Sequence, residues 1–389
     1  MQLATIKLLV PVVAITVQSN SASTIIPPYL QTLNLPVAVI GSLISLGPIF
    51  ALASRLPIGM VYTQGRARLL IALAVLAMGV TNLAYSFTTN TLTFAIVHAL
   101  NGFAYGAVTT LYMAFFVDSL APGENRNHAM GYYVGSLAVG YSAGNFFGGW
   151  IADGLGYGST FQMGAALTLI PIGLLWLLHQ TTAPGTGRPK EATRLTAKDS
   201  FKAILEPGLA TVVIVALFLN LLHQMTGVFF SLYGLAVGLS LTQIGVLRAA
   251  YAGCNAITRP ISGHIVNRIG HRRLSFFGIP IESAILMLVP LFSNFGMLLV
   301  VYVTSGLMRA VVIVANAVGL VQDVPEDRVR RGLASGIYNA AGDLGNILGP
   351  AVGGVIAQAT SLGSVFVIGP LGATILFLLG VTLARRQRA

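Results

Sequence analysis

The chain has 389 residues, of which 55% are hydrophobic and 8% charged, with a mean hydropathy of +0.80. A soluble domain carries about a quarter charged residues, so an ordinary water-soluble enzyme or nucleic-acid-binding domain is excluded and an integral membrane protein is implied. The single cysteine, Cys254, excludes a disulfide framework and a paired-thiol metal site.

A helical crossing needs about 20 apolar residues. Runs of that kind lie at 8–30, 38–61, 69–87, 92–116, 129–151, 160–179, 209–231, 242–265, 274–293, 296–319, 333–357 and 363–384. They predict an all-α integral membrane protein with twelve transmembrane helices in two pseudo-symmetric six-helix halves. Residues 1–180 and 208–389 are the halves, joined by a Pro-, Gly- and Lys-rich linker at 181–207. Met1 to Leu9 has one lysine and no cleavage-type site, so no removable signal peptide is predicted. Of the 22 Lys and Arg, Arg248 and Arg309 lie inside spans; the rest collect at the termini, in the even-to-odd loops and at the helix ends beside them. That bias places both termini and the linker in the cytoplasm, in a multi-pass protein of the cytoplasmic (inner) membrane. The basic charge is a topology signal, and nucleic acid is not an expected partner.

Helix 1 groups Gln18, Ser19, Asn20, Ser21 and Ser23 at mid-depth, which points to a wet cavity or to interhelical hydrogen bonding. Helix 4 sets His98, Asn101, Tyr105, Thr109 and Tyr112 at helical spacing, a candidate lining stripe. Asp118 ends that helix near Arg126, and Asp323 with Arg328 repeats the pair at helix 10. Helix 5 carries Gly131, Gly140, Gly144, Gly148 and Gly149, with Asn145 among them. Helix 7 aligns Asn220, His223 and Gln224, and helix 8 aligns Arg248, Tyr251, Asn255 and Arg259. Glu282 lies in helix 9, and helix 10 aligns Tyr302, Ser305, Arg309 and Asn316. Helix 11 carries Tyr338, Asn339 and then Asp343, about 10 residues in and so roughly 15 Å deep at 1.5 Å per residue. Arg309 lies at a similar depth, so an Arg309 to Asp343 pair is expected, with Glu282 as the rival partner. Intramembrane charges need water or a partner, which predicts one polar cavity built mainly from the second half.

The glycine pattern of helix 5 returns 205 residues later at Gly336, Gly345, Gly349, Gly353 and Gly354, where Pro350 stands in place of Asn145. Small residues at such spacing let helices approach closely, and the glycines are expected to form the contact between halves. A second repeated segment reads GMVYTQGRAR from Gly59 and GHIVNRIGHRR from Gly263, each preceded by an arginine, Arg55 or Arg259. The pattern G-x8-G-x3-GP-x2-GG resembles the antiporter motif of the major facilitator superfamily, and the loop with Asn267 and Arg268 resembles that family's G-x-L-x-D-R-x-G-R-R loop. Both motifs depart from the family: Asn145 replaces the proline in helix 5, and Asn267 the loop aspartate.

The resemblance implies a secondary transporter working by alternating access, not an enzyme, and without a cofactor. The leading reading resembles the proton-coupled, drug-efflux-like branch, with a small-molecule solute, protons and the lipid bilayer as partners and a monomer as the working unit. On that reading Asp343 and Glu282 are the proton-coupling candidates. Arg309, Arg248, His98, Asn101, Tyr105, Asn20, His223, Gln224, Tyr251, Asn255, Tyr338 and Asn339 are the substrate-binding candidates. Gly140, Gly144, Asn145, Gly345, Gly349, Pro350, Arg55, Arg259, Asn267, Arg268, Asp118 and Asp323 are the gating candidates. The alternative is an organic-anion carrier in which Arg248 and Arg309 meet the anion, since arginine binds carboxylate bidentately.

Overall fold

The computed structural model describes residues 3–120, 126–177, 207–322 and 328–386. Among these, every regular element is helical. The helices are α1 (Leu3–Thr32), α2 (Val37–Val61), α3 (Ala67–Tyr85), α4 (Thr91–Asp118), α5 (Arg126–Leu167) and α6 (Leu169–Leu177), then α7 (Pro207–Ala236), α8 (Leu241–Ile269), α9 (His271–Leu286), α10 (Phe295–Gln322), α11 (Arg328–Ala359) and α12 (Val365–Arg386). In a bilayer each backbone amide must find its partner in the protein rather than in water, and a helix supplies that partner within the segment, which is why long apolar runs become helices. Prolines sit inside α1, α2, α8, α9, α11 and α12, tolerated because neighbouring helices can re-satisfy the carbonyls they free.

Ten stretches of described residues are long and apolar enough to cross a membrane. One of them, His128–Trp176, has 49 residues and contains Gly156 at φ 83°, ψ 168°. That backbone is open to glycine and costly for other residues, so α5 breaks there. Its 157–167 segment and α6 then form the sixth crossing. α8 is missing from the ten on composition: Arg248, Arg259, His264 and Arg268 lower its hydropathy, although its 29 residues are enough to span. With both adjustments the helices account for the twelve crossings expected from the sequence.

The chain forms two compact units. The first holds α1, α2 from Ser42, α3 to α6, and α8 up to Gly253. Its core joins Val12 and Ile15 of α1, Ile71, Val75 and Met78 of α3, and Val108, Leu111 and Phe116 of α4. The Tyr85 and Phe161 rings lie 5.2 Å apart, tilted by 34°, and Tyr29 meets Phe161 edge-on at 5.4 Å. The second unit holds the start of α2 (Val37–Gly41), α7 to Tyr233, α8 from Cys254, and α9 to α12. There Phe230 of α7 packs on Tyr302 of α10 at 4.2 Å and on Phe366 of α12. Large apolar side chains on the outward faces, such as Leu73, Leu76 and Val80 of α3 and Leu371, Ile375 and Leu379 of α12, are exposed, as expected where the surroundings are lipid rather than water.

Candidate functional site

In the second unit the arginine of α10 is held from three sides. Arg309 is buried, and its Nη1 donates to the Leu219 carbonyl of α7 at 2.6 Å while its Nη2 donates to Asn220 Oδ1 at 3.2 Å. Nη1 also lies 3.8 Å from Oε1 of Glu282 on α9, a residue only 1% exposed. Two opposite charges are thus taken from the surroundings together, as a membrane interior requires. Glu282 Oε2 has no hydrogen-bond partner. The ion pair formed by Arg309 is therefore with Glu282, the partner the sequence ranked second. Depth alone put Asp343 at the right level, but a helical row also fixes azimuth: Glu282 and Arg309 face each other because α9 and α10 pack side by side, with Gly278 against Val312 one turn away. Asp343 is half-buried on α11, next to Gly342, whose position abuts the amide of Asn220.

The first unit holds a second polar cluster around Asn145 of α5. Its Oδ1 accepts from Thr24 Oγ1 of α1 at 2.8 Å and from Arg248 Nε of α8 at 3.2 Å. Arg248 Nη2 also reaches Ser23 Oγ at 3.4 Å, and Ser142 Oγ donates to the Ala249 carbonyl at 2.9 Å. Asn145 is thus a junction of three helices. The sequence marked it only as the residue that breaks the glycine-proline repeat; its acceptor role follows from the one arginine on α8 that lies at its level.

The glycine rows were expected to form the contact between halves, but most of them lie against a helix of their own half. Gly140, Gly144 and Gly148 lie against Thr16, Val17 and Ser21 of α1, and Gly345 and Gly349 against Leu221 of α7. A Cβ at Gly349 would stand 2.6 Å from the Leu221 carbonyl and 2.9 Å from Met225 N. Residues four apart share a helical face, whereas the next residue points about 100° away. Gly149 and Gly354 accordingly face different helices: Gly149 meets Leu241 and Gly245 of α8, and Gly354 meets Val37 and Ala38 of α2. Pro350 lies against Gly41 of α2. These two contacts are repeats of each other at the same 205-residue offset, and each is finished by a side chain one turn on. Asp153 Oδ2 accepts from Thr242 Oγ1 at 2.6 Å, and Gln358 Oε1 accepts from Val37 N at 3.0 Å.

The expected lining stripe of α4 is divided among neighbours. His98 is 9% exposed, with Nδ1 at 2.7 Å from Tyr85 Oη and Nε2 at 3.3 Å from the Ile44 carbonyl, so both ring nitrogens are engaged by α3 and α2. Asn101 Nδ2 donates to Thr81 Oγ1 of α3 at 2.8 Å, and Tyr112 donates to the Leu8 carbonyl of α1. Tyr105 shares a hydrogen bond with Tyr141 of α5. The period placed these residues on one side of α4; it did not say which helices that side meets. Asn20 Nδ2 turns back to the Thr16 carbonyl. Asn255 Oδ1 accepts from Arg259 Nε within α8 at 3.0 Å. Gln224 packs on Gly349, while Tyr338 approaches Asn316 and lies in electrostatic range of Arg309 and Arg259. His223, Tyr251 and Arg55 are partly buried, and Asn339, Asn267 and Arg268 are exposed.

Asp118 accepts from Tyr62 Oη at 2.7 Å. Burial first, and then the Asp118 carboxylate, push the Tyr62 phenol upward, so it stays a donor at physiological pH. Asp323 and the side chains of Arg126 and Arg328 lie outside the described residues. Among the described residues no group of three His, Cys, Asp or Glu is placed to hold a metal ion.

The family model for the Major Facilitator Superfamily matches residues 9–245 and 212–389. The chain belongs to the major facilitator superfamily. It is a multi-pass membrane protein of a transporter family, not an enzyme family. An uncharacterised transporter of this superfamily from Methanocaldococcus jannaschii is 20% identical over 339 residues, covering 87% of each protein. The quinolone resistance protein NorA of Staphylococcus aureus is 28% identical over 150 residues, which is 38% of the present transporter and 37% of NorA. Among solved structures, the nucleoside transporter NupG superposes with a TM-score of 0.83 at 15% identity, covering 98% and 99% of the two chains. A bacterial homologue of the human lysosomal transporter Spinster, inward-facing and occupied, gives 0.77 at 16% identity, covering 98% and 94%. At such identities these structures establish the fold of the transporter and leave its solute open.

Proposed function

We propose that the protein is a proton-coupled exporter of small organic, drug-like solutes from the cytoplasm, with Glu282 as the proton-exchanging group. The observation that carries this reading is the Glu282–Arg309 pair. A proton arriving on Glu282 removes the counter-charge that helps hold Arg309, whose other bonds go to the backbone and side chain of α7 at Leu219 and Asn220. Protonation is thereby linked to the arginine's grip on a neighbouring helix, which is the coupling that proton-driven transport requires. Asp343, on the helix that packs against the same stretch of α7 through Gly345, is assigned to the solute side of the cycle. Partial similarity to NorA supports efflux over uptake. Neutralisation of Arg309 by Glu282 argues against the anion-carrier alternative, because that arginine adds no net positive charge to its surroundings.

The test is a division of transport modes in sealed proteoliposomes. Glu282→Gln is expected to abolish movement driven by a pH gradient while leaving solute counterflow, which needs no net proton transfer, close to the parent rate. Gradient-driven transport by this variant at the parent rate would remove Glu282 from the coupling step.

A further inference from the structure

A third polar group lies inside the first unit, apart from both clusters described above. Gln18 of α1 is 1% exposed, and neither its amide nitrogen nor its amide oxygen has a hydrogen-bond partner. Asn82 of α3, also 1% exposed, donates Nδ2 to the Met78 carbonyl at 2.9 Å and is left with Oδ1 unpartnered. The two side chains converge on Gly164 in the 157–167 segment. A Cβ at that position would lie 3.2 Å from Asn82 Oδ1 and 3.6 Å from Gln18 Cγ. Three helical segments therefore bring the Gln18 and Asn82 side chains, with three unpartnered amide atoms between them, to the one place where the third segment has no side chain.

We propose that this is a built hydration site, in which water donates to Gln18 Oε1 and Asn82 Oδ1 and accepts from Gln18 Nε2. Buried polar atoms in folded proteins nearly always find a partner, and an internal water typically makes about three hydrogen bonds, the number of orphaned atoms here. The occupant must donate and accept, be neutral, and be small, which matches water and excludes an acyl chain. A direct Gln18–Asn82 bond would satisfy Nε2 and Oδ1 but leave Gln18 Oε1 orphaned, so it answers less of the chemistry. The missing side chain at Gly164 then leaves room for the water: a methyl there would lie 3.2 Å from Asn82 Oδ1.

Radiolytic labelling of the purified full chain in heavy-oxygen water tests this without any substitution. Hydroxyl radical formed by radiolysis of water held at the site should oxidise Met78, one turn from Asn82 and 1% exposed, at least threefold more than Met225, which is fully buried against Gly353 and Gly369 and serves as the dry reference. Equal labelling of the two methionines would overturn the proposal. A thermal cycle gives a second reading. Gly164→Ala should lower the melting temperature of the parent but not of the Gln18→Leu, Asn82→Leu protein, in which nothing remains for water to satisfy. A rise in the parent would mean that the methyl fills a dry void, and would also overturn it.

Discussion

Removing one member of the Glu282–Arg309 pair should damage the protein in a way that removing both does not. At 3.8 Å, two unit charges attract by about 4 kcal/mol at an effective dielectric of about 20. Breaking a buried pair from one side typically costs about 3–5 kcal/mol, because a lone charge stays buried. For Glu282→Gln we expect a value near the lower end, about 3 kcal/mol, since Arg309 keeps its bonds to Leu219 and Asn220. For Arg309→Gln the loss should depend on pH. A lone buried carboxyl can shed its charge by taking a proton, whereas arginine cannot give one up, so the loss is full at neutral and alkaline pH and shrinks as pH falls. The double variant avoids either lone charge, and its loss should be smaller than the sum of the singles by at least about 2 kcal/mol, within the range of coupling for contacting residues. Unfolding of the four proteins in detergent, followed by thermal or denaturant titration at two pH values, measures the cycle. Losses that simply add, or an Arg309→Gln loss that grows on acidification, would refute the reasoning.

Two further outcomes follow from the packing. Gly349→Leu should abolish transport and lower stability, because its side chain would meet the backbone of α7 at Leu221 and Met225; Gly131→Leu, where a Cβ meets nothing within 4 Å, is the control and should transport normally, and equal effects would contradict the glycine account. Asn145→Leu should leave Arg248 and Thr24 without their shared acceptor and cost about 1–3 kcal/mol, whereas an unchanged unfolding midpoint would show that the junction does not contribute.

The fold was readable because its signals are long: 20-residue apolar runs and a 205-residue repeat survive without any knowledge of contacts. The site was readable only in part. Periodicity and depth placed Arg309, Glu282 and Asp343 in the membrane, yet the choice of partner depends on which helices are neighbours and on rotation about each axis, and neither is encoded in spacing. His98 shows the same limit, since its row on α4 was visible but its two partners, Tyr85 and the Ile44 carbonyl, come from α3 and α2. Gln18 was visible only as one of five polar residues on helix 1, and Asn82 escaped, because a buried amide without a partner looks, in sequence, like any polar residue on a helix. The glycine rows were read correctly as close-approach surfaces, but a one-residue step from Gly148 to Gly149 changes the helix they meet.

In a proton-coupled exporter, solute and proton movements are linked. Proteoliposomes loaded with a pH-sensitive dye and challenged with a panel of aromatic cationic, zwitterionic and anionic solutes report this in one trace. For at least one cationic or zwitterionic solute, the parent protein should move protons on solute addition, with the signal absent for Glu282→Gln. Solute transport by the parent with no accompanying change in internal pH, or proton movement that persists undiminished in Glu282→Gln, would contradict it.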